Sequence, residues 1–125
     1  MEKISTSRIK ELLSNKQFYE IIVEEKVSST NDVLKNMADD GGKEGVVLIA
    51  KEQTSGKGRL GRSFYSPADT GIYMSILVKP DKNAEKSLII TSAAAVAVCK
   101  AIRSVAKVKA NIKWVNDIII DNLGM

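Results

Sequence analysis

A glycine-rich and cationic segment, Gln53 to Ser63, contains the residue types best suited to chemistry. Its three glycines lie within six positions, so the backbone can approach a ligand closely and adopt positive φ angles. Lys57, Arg59 and Arg62 add three positive charges, and the backbone amides of such a loop can also face an anion. The segment therefore predicts a site for a phosphate or an acyl phosphate.

This loop departs from two familiar phosphate-binding patterns. The G-x-x-x-x-G-K-[ST] spacing of a P-loop is not met. Residues 56–61 fit G-x-G-x-x-G, but the chain that follows does not read as the helix of a dinucleotide-binding fold. On these residues alone, a solvated basic turn that contacts nucleic acid remains an alternative interpretation.

Two further clusters carry polar groups at useful spacings. Lys113 and Asp117 lie four residues apart around a predicted turn, where the lysine could hold a carboxylate or phosphate oxygen and the aspartate a Mg²⁺ ion. An ordinary Asn–Asp turn with a surface lysine would give the same sequence. The segment Ser28 to Asn31 offers hydroxyl and amide groups that would cap a helix whether or not they also bind a ligand.

Composition narrows the classes of function. The chain has 125 residues, of which 44% are hydrophobic and 27% charged, as expected for a soluble chain with one core. With no histidine and one cysteine, Ser-His-Asp catalysis, Cys-His catalysis and a structural zinc site within the chain are excluded. The net charge of +4 is mild for a nucleic-acid partner. Without an apolar signal region or an unbroken apolar span, the chain is expected to be cytoplasmic and to have no membrane contact.

The elements that must position these groups alternate between helix and strand. Helices are predicted after Ser5 or Thr6, from a cap within Ser28 to Asp32 up to Gly41-Gly42, and over 84–106. The expected apolar stripe of the long helix is Leu88, Thr91, Ala95, Val98, Ile102 and Val105. Strands are predicted at Phe18 to Val27, Val46 to Ala50, Ile72 to Val78, Ile112 to Val115 and Ile118 to Ile120. The fold class is therefore α+β, with a mixed, largely antiparallel sheet flanked by helices.

Taken together, the motifs resemble the catalytic domain of biotin protein ligases, which form biotinyl-AMP and transfer biotin to a carrier lysine. Order and spacing match over about residues 20–121. The matching motifs are Ser29-Thr30-Asn31, Gln53 to Arg62, Phe64-x-Ser66-Pro67, Gly71 to Ser75 and Lys113-Trp114-Val115-Asn116-Asp117. The resemblance implies a class II synthetase-like fold. It departs at Lys57, where arginine is usual, at Phe64, where tryptophan is usual, and at Val115, where proline is usual.

The resemblance also implies roles for individual residues. Biotin would be bound by Ser29, Thr30, Asn31, Gln53, Gly56, Arg59 and Lys113. The nucleotide would be bound by Lys57, Gly58, Arg62, Phe64, Asn116 and Asp117, with Mg²⁺ at Asp117. Lys113 and Arg59 would be catalytic, because fixed cations stabilise the charge that develops during adenylation. ATP, Mg²⁺ and biotin are the implied small molecules, and the biotin carboxyl carrier protein of acetyl-CoA carboxylase is the implied partner.

The family continues with a lysine and further strands where this sequence reads Asp121 to Met125. We therefore expect residues 1–125 to be the N-terminal portion of a catalytic domain, without a DNA-binding or C-terminal domain, and inactive or weakly binding. An unpaired edge near residues 112–120 would favour a homodimer. Two alternatives stay open: a lipoate or octanoate ligase of the same fold, and a non-enzymatic basic module that binds nucleic acid through residues 57–62. Under the main interpretation no nucleic-acid partner is expected.

Overall fold

The computed structural model describes residues 4–14, 17–79, 84–113 and 117–120. The helices and strands follow in the order α1 (Thr6–Leu12), β1 (Glu20–Glu24), α2 (Thr30–Asp39), β2 (Val46–Ala50), β3 (Tyr73–Ile76), α3 (Ala84–Ala106), β4 (Ala110–Lys113) and β5 (Asp117–Ile120). A short 3-10 turn, Arg59–Gly61, lies between β2 and β3. The chain forms two compact units, Met1–Lys79 and Pro80–Met125.

Strand β2 is the centre of the first unit. It pairs in parallel with β1, where Glu20 lies opposite Val46, and antiparallel with β3, where Leu48 lies opposite Ser75. All five β2 residues are buried, which confirms the prediction of a strand covered on both faces. The sheet is therefore mixed, and with the antiparallel pair β4–β5 the described strands confirm the predicted α+β class.

Alternation along β2 supplies a small core on each face of this sheet. On one face Val46 and Leu48 pack with Leu34 of α2 and with Leu77. On the other face Val47 and Ile49 pack with Ile21 of β1, and they are covered by Ile9 of α1 and by Leu13, which follows the helix. The two helices thus lie on opposite faces, because successive residues of a strand point to opposite sides.

Serine side chains begin both helices of the first unit, as the sequence predicts. The Ser5 hydroxyl accepts a hydrogen bond from the Arg8 amide at 3.2 Å, and the Ser29 hydroxyl accepts one from the Asp32 amide at 3.4 Å. Asp32 lies in the first turn of α2, where its charge complements the helix dipole. The helix ends at Asp39, and Gly41 follows with a φ of +87°, which stops the helix where the glycine pair predicts.

The second unit contains α3 and the antiparallel strands β4 and β5, with Ala110 opposite Ile120 and Lys113 opposite Asp117. β4 begins two residues before the predicted Ile112, and β5 begins at Asp117 itself rather than after it. The predicted turn residue Asn116 lies outside the described residues, as does Trp114.

The predicted apolar stripe of α3 is wrong for most of its members. Leu88, Val98 and Val105 are exposed. Over positions 88–106, whose side chains the structure describes, the buried residues are Ala95, which the stripe includes, and Cys99, which it does not. The reason is the small size of the buried residues, which lets the β4 backbone approach the helix. The Cys99 thiol donates to the Ala110 carbonyl at 3.1 Å.

A stretch of α3, Leu88–Ala106, has the length and composition of a membrane span, with a mean hydropathy of 1.7 over its 19 residues. Lys100 and Arg103 interrupt it. Arg103 makes hydrogen bonds to the Ala110 carbonyl at 2.8 Å and to the Asn111 side chain at 3.2 Å. Core helices of water-soluble proteins meet the same criteria, so this stretch does not assign the protein to a membrane.

Candidate functional site

A cavity of about 250 Å³ lies in the first unit, where three distant segments of the chain meet. The start of α2, the glycine–arginine loop and strand β3 each contribute to its wall. The lining residues are Ser29, Thr30, Asn31, Gln53, Lys57, Phe64, Ile72, Tyr73, Met74 and Ser75. Six of these were predicted as binding residues, and the other four lie in the matching Gly71 to Ser75 motif; the fold brings them to one place.

The helix cap places the first group of polar side chains. Ser29 and Thr30 are 2% and 4% exposed, although both line the cavity. Because the Ser29 hydroxyl accepts from the Asp32 amide, its own proton stays available for a ligand acceptor. The capping role and a binding role are therefore compatible at the same residue.

Gln53 connects the start of α2 to the chain that follows the loop. Its Oε1 accepts from the Thr30 amide at 2.8 Å, and its Nε2 donates to the Ser66 hydroxyl at 3.0 Å. Ser66, only 2% exposed, donates in turn to the Phe64 carbonyl at 2.9 Å. This chain of hydrogen bonds fixes which end of the Gln53 amide faces which neighbour.

Gly56 is the point of closest packing in the loop. A Cβ atom at this position would lie 2.4 Å from both the Phe64 carbonyl oxygen and the Ser66 hydroxyl, and 2.9 Å from Gln53 Nε2. The Phe64 amide donates to the Gly56 carbonyl at 2.8 Å, so the two backbones are tied together. The position therefore requires glycine for steric reasons.

The rest of the loop turns back on itself and is largely exposed. The Gly58 amide donates to the Arg62 carbonyl at 2.6 Å, and the backbones of Lys57 and Ser63 form an isolated antiparallel β-bridge. Between them, Arg59 opens the 3-10 turn, Leu60 adopts a φ of 58° and Gly61 a φ of 77°. The loop tip thus holds its shape by its own turn rather than by burial.

One ion pair joins this loop to α2. Lys57 Nζ lies 3.2 Å from Asp32 Oδ2, and both side chains are about half exposed. Asp32 directly follows Asn31 in sequence, and Lys57 itself lines the cavity, so the pair holds a positive charge at the cavity wall. Such an exposed pair contributes only about 0–1 kcal/mol to stability.

Two serines of the site received no role from the sequence. Ser66 takes part in the Gln53 hydrogen bonds, and the Ser75 hydroxyl lies 2.7 Å from the Thr30 hydroxyl and donates to Asn31 Oδ1. The strand alternation would have placed Tyr73 and Ser75 on the same face of β3. Ser66 was named only as a member of the Phe64-x-Ser66-Pro67 motif, and Ser75 only as the end of the Gly71 to Ser75 motif. A polar residue in an apolar strand was a further signal for Ser75.

The remaining predicted residues belong to the second unit. Lys113 ends β4 directly opposite Asp117, which begins β5, and both are exposed. Asn116 lies outside the described residues. The roles predicted for these three residues therefore stay predictions.

The predicted Mg²⁺ ion can be tested against the available donors. Over the described parts of the chain, no group of three or more His, Cys, Asp or Glu residues could hold a metal ion. Asp117 supplies a single carboxylate. Because Mg²⁺ in nucleotide sites is held by one or two carboxylates together with phosphates, this residue could only share the ion with a bound nucleotide.

Comparison with known sequences places these features in a family context. Residues 23–123 match the family described as Biotin/lipoate A/B protein ligase family. The "Bifunctional ligase/repressor BirA" of Bacillus spizizenii is 37% identical over 101 residues, covering 81% of this chain and 31% of that protein. The "Biotin--[acetyl-CoA-carboxylase] ligase" of Mycobacterium tuberculosis is 31% identical over 102 residues, covering 78% and 38%.

Solved structures give the same result. The biotin protein ligase from Aquifex aeolicus in complex with biotin and ATP has a TM-score of 0.69 and 31% identity, covering 81% of this chain and 41% of that chain. The Leishmania major biotin protein ligase in complex with biotinyl-5-AMP has a TM-score of 0.66 and 32% identity, covering 81% and 47%. The chain thus spans about a third of the length of the curated relatives it matches and less than half that of these solved chains.

Proposed function

Because this chain belongs to the biotin/lipoate A/B protein ligase family, we propose that its first unit binds biotin. In the ligase as a whole, biotin is then joined to AMP and passed to a lysine of a biotin carboxyl carrier protein. The observation that carries this proposal is the meeting of six predicted residues around one cavity. Those residues are Ser29, Thr30, Asn31, Gln53, Lys57 and Phe64.

The polar wall of the cavity suits the cyclic urea of biotin. A urea offers one carbonyl acceptor between two N–H donors, so it needs both kinds of partner within a small space. The Ser29 hydroxyl has a proton to give, and Gln53 Nε2 has a second N–H beyond the one it gives to Ser66. Phe64, Ile72 and Met74 supply apolar surface for the rest of the molecule.

The cationic loop suits the other end of the ligand. Lys57, Arg59 and Arg62 would face the carboxylate of biotin and the phosphate of its adenylate, where opposite charge is stabilising. A mixed anhydride must also be protected from water, and a short loop that covers it would provide this protection. Gly58 lets the loop backbone lie close to the nucleotide.

The resemblance to biotin protein ligases also gives roles to residues of the second unit. Lys113 would be catalytic, because a fixed positive charge stabilises the negative charge that builds up during attack on the α-phosphate. Asn116 and Asp117 would bind the nucleotide, and Asp117 would share Mg²⁺ with its phosphates. The ion, when bound, would neutralise phosphate charge.

Both half-reactions balance without a side-chain nucleophile. A biotin carboxylate oxygen attacks the α-phosphorus of ATP, the bond to the β-phosphate oxygen breaks, and pyrophosphate leaves. The carrier lysine amine then attacks the acyl carbon, AMP leaves with the electrons of the broken bond, and the amine loses a proton. The protein contributes orientation and positive charge, which explains how a chain without histidine serves this chemistry.

Isothermal titration calorimetry with biotin and with lipoate tests the binding step. We expect biotin to bind and lipoate to give no heat at the same concentration. Thr30→Val should weaken biotin binding about tenfold, because it removes a hydroxyl from the polar wall of the cavity. Ser7→Ala, on the exposed face of α1, is the control and should bind as the unaltered protein does. Preference for lipoate would favour the alternative of a lipoate ligase. Binding of neither ligand would overturn the proposal.

The group-transfer step is tested by mass spectrometry of a biotin carboxyl carrier domain after incubation with ATP and biotin. We expect transfer by residues 1–125 to be slow, and Lys113→Ala to lower the rate of the biotinyl mass increase about 100-fold further, as for loss of a transition-state cation. Lys35→Ala, an exposed lysine of α2, should leave the rate unchanged. Equal rates in the two variants would contradict the role proposed for Lys113.

A further inference from the structure

The Ser75 hydroxyl lies between two residues of the proposed biotin site. It donates to Asn31 Oδ1 and lies 2.7 Å from the Thr30 hydroxyl. Ser75 is half-buried on β3, opposite Leu48, while Thr30 and Asn31 begin α2. We propose that Ser75 is a positioning residue that fixes the direction of the hydrogen bonds at this cavity. The inference rests on the proposed biotin site and adds the residue that sets its ligand pattern.

The direction follows from counting protons. A serine hydroxyl has one proton, and Ser75 gives it to Asn31 Oδ1. The short contact with Thr30 must therefore use the Thr30 proton, with Ser75 as the acceptor. The Thr30 backbone N–H is already given to Gln53 Oε1 at 2.8 Å. Thr30 Oγ1 consequently has only lone pairs left, and it offers an acceptor to a ligand.

We call the hydrogen bonds from Thr30 through Ser75 to Asn31 the relay. Its Asn31 end offers donors rather than an acceptor. Because Asn31 Oδ1 accepts from Ser75, its Nδ2 group keeps two protons, and Asn31 lines the cavity. Within the described residues, Nδ2 makes no hydrogen bond to another side chain. The relay from Thr30 through Ser75 to Asn31 therefore leaves an acceptor at its start and donors at its end.

This pattern selects for ligand chemistry. A cyclic urea presents N–H and C=O groups side by side, so both ends of the relay find a partner. A dithiolane presents neither group, and a cyclic guanidinium presents only donors, which would face the Asn31 donors. Polar groups left unpaired in the bound complex lower affinity, so the fixed direction of these hydrogen bonds favours ligands that offer both donors and acceptors.

Asn31→Asp is the most direct test, because it replaces the Nδ2 donor that faces the ligand and keeps the hydrogen bond from the Ser75 hydroxyl. One carboxylate oxygen still accepts from Ser75, while the other presents an acceptor where the amide presented donors. The ligand pair is biotin and 2-iminobiotin in its protonated, guanidinium form. We expect the ratio of the two dissociation constants to shift at least tenfold towards 2-iminobiotin. Asn36→Asp makes the same charge change on an exposed position of α2 and should leave the ratio nearly unchanged.

Ser75→Ala removes the central hydroxyl, so Thr30 and Asn31 become free to turn. We expect the preference for biotin over 2-iminobiotin to fall severalfold, with a small change in melting temperature. Ser75→Thr keeps the hydroxyl and should restore the preference, which a purely structural role of the side chain would not require. An unchanged ratio in both Asn31→Asp and Ser75→Ala would overturn the proposal.

A measurement without ligand separates this proposal from the biotin site itself. We expect Thr30→Val and Ser75→Ala to be coupled in urea unfolding, so that the double variant has nearly the midpoint of the Ser75→Ala variant. Additive midpoint shifts would overturn the relay whatever the ligand. Failure of the unaltered protein to bind biotin would overturn the proposed function, while coupled midpoints would still support the relay.

Discussion

The base and the tip of the glycine–arginine loop use glycine for different reasons. At the base, Gly56 is buried, and a Cβ there would lie 2.4 Å from the Phe64 carbonyl oxygen. At the tip, a Cβ on Gly58 would make only ordinary contacts of 3.5 Å with Arg62, and Gly61 has open space around it. One sequence motif therefore contains a closely packed base and an exposed tip, and only the base requires glycine for close packing.

The base and the tip of the loop also differ in the interactions that fix them in place. The base is fixed by hydrogen bonds among Thr30, Gln53, Ser66 and Phe64, each contributing about 1 kcal/mol and costing more when one partner is left unpaired. The tip is joined to α2 by the half-exposed Lys57–Asp32 ion pair, which salt screens. We infer that the base recognises the ligand and that the tip mainly supplies charge.

The largest expected effect comes from placing a methyl group at the base. Gly56→Ala should lower the free energy of unfolding by about 3 kcal/mol, because the Cβ must displace backbone, and should abolish biotin binding. Gly58→Ala should change stability by less than about 1 kcal/mol and leave binding nearly intact. Urea denaturation and calorimetry measure both quantities. Equal losses in the two variants would remove the distinction between base and tip.

Gln53→Glu removes a hydrogen-bond donor from the base of the loop while keeping the shape of the side chain. The carboxylate cannot donate to Ser66, which already donates to the Phe64 carbonyl, so stability should fall by about 2 kcal/mol at neutral pH. Protonation of the new carboxyl restores a donor, so the loss should shrink as pH falls. Gln17→Glu, on an exposed position, is the matched control. A loss independent of pH would contradict the assigned direction of the Gln53 amide.

Asp32→Asn removes the attachment of the tip. The loss in stability should stay below about 1 kcal/mol. Biotin affinity should fall about threefold at low ionic strength, and the difference should disappear near 1 M salt, where such pairs are screened. Titrations at the two salt concentrations check this. A difference that persists at high salt would show that Asp32 acts through more than its charge.

Leu60→Asn should have the smallest effect. Leu60 is 89% exposed and adopts a φ of 58°, a conformation that asparagine tolerates better than leucine. The variant should be as stable or up to about 1 kcal/mol more stable, with an unchanged dissociation constant for biotin. A loss of binding would mean that the tip recognises the ligand by contact, contrary to the comparison.

Local patterns were sufficient to predict most of the fold. The serine caps of α1 and α2, the fully apolar run of β2 and the glycine stop after Asp39 are decided by neighbouring residues, and all three were predicted correctly. The buried face of α3 was predicted wrongly. Periodicity favoured the larger side chains, which are exposed. Ala95 was predicted correctly, whereas Cys99, whose thiol donates to the Ala110 carbonyl of β4, was not part of the predicted stripe.

The sequence predicted which residues form the site better than it predicted the hydrogen bonds between them. Six cavity residues were identified from their motifs, with Ser29, Thr30 and Asn31 also marked as a helix cap. Ser66 and Ser75 received no role, because their bonds join residues 13 and 45 positions apart. Such contacts depend on the pairing of β2 with β3 and leave no periodic trace in the sequence.

Nuclear magnetic resonance offers the most direct test of the claim that the first unit binds biotin at this cavity. In proton–nitrogen correlation spectra, addition of biotin should shift the side-chain amide signals of Asn31 and Gln53, which line the cavity. The side-chain amide of Asn36, on an exposed position of α2, should remain in place. Spectra in which biotin leaves the Asn31 and Gln53 signals unmoved, at concentrations that saturate a ligase, would contradict the account.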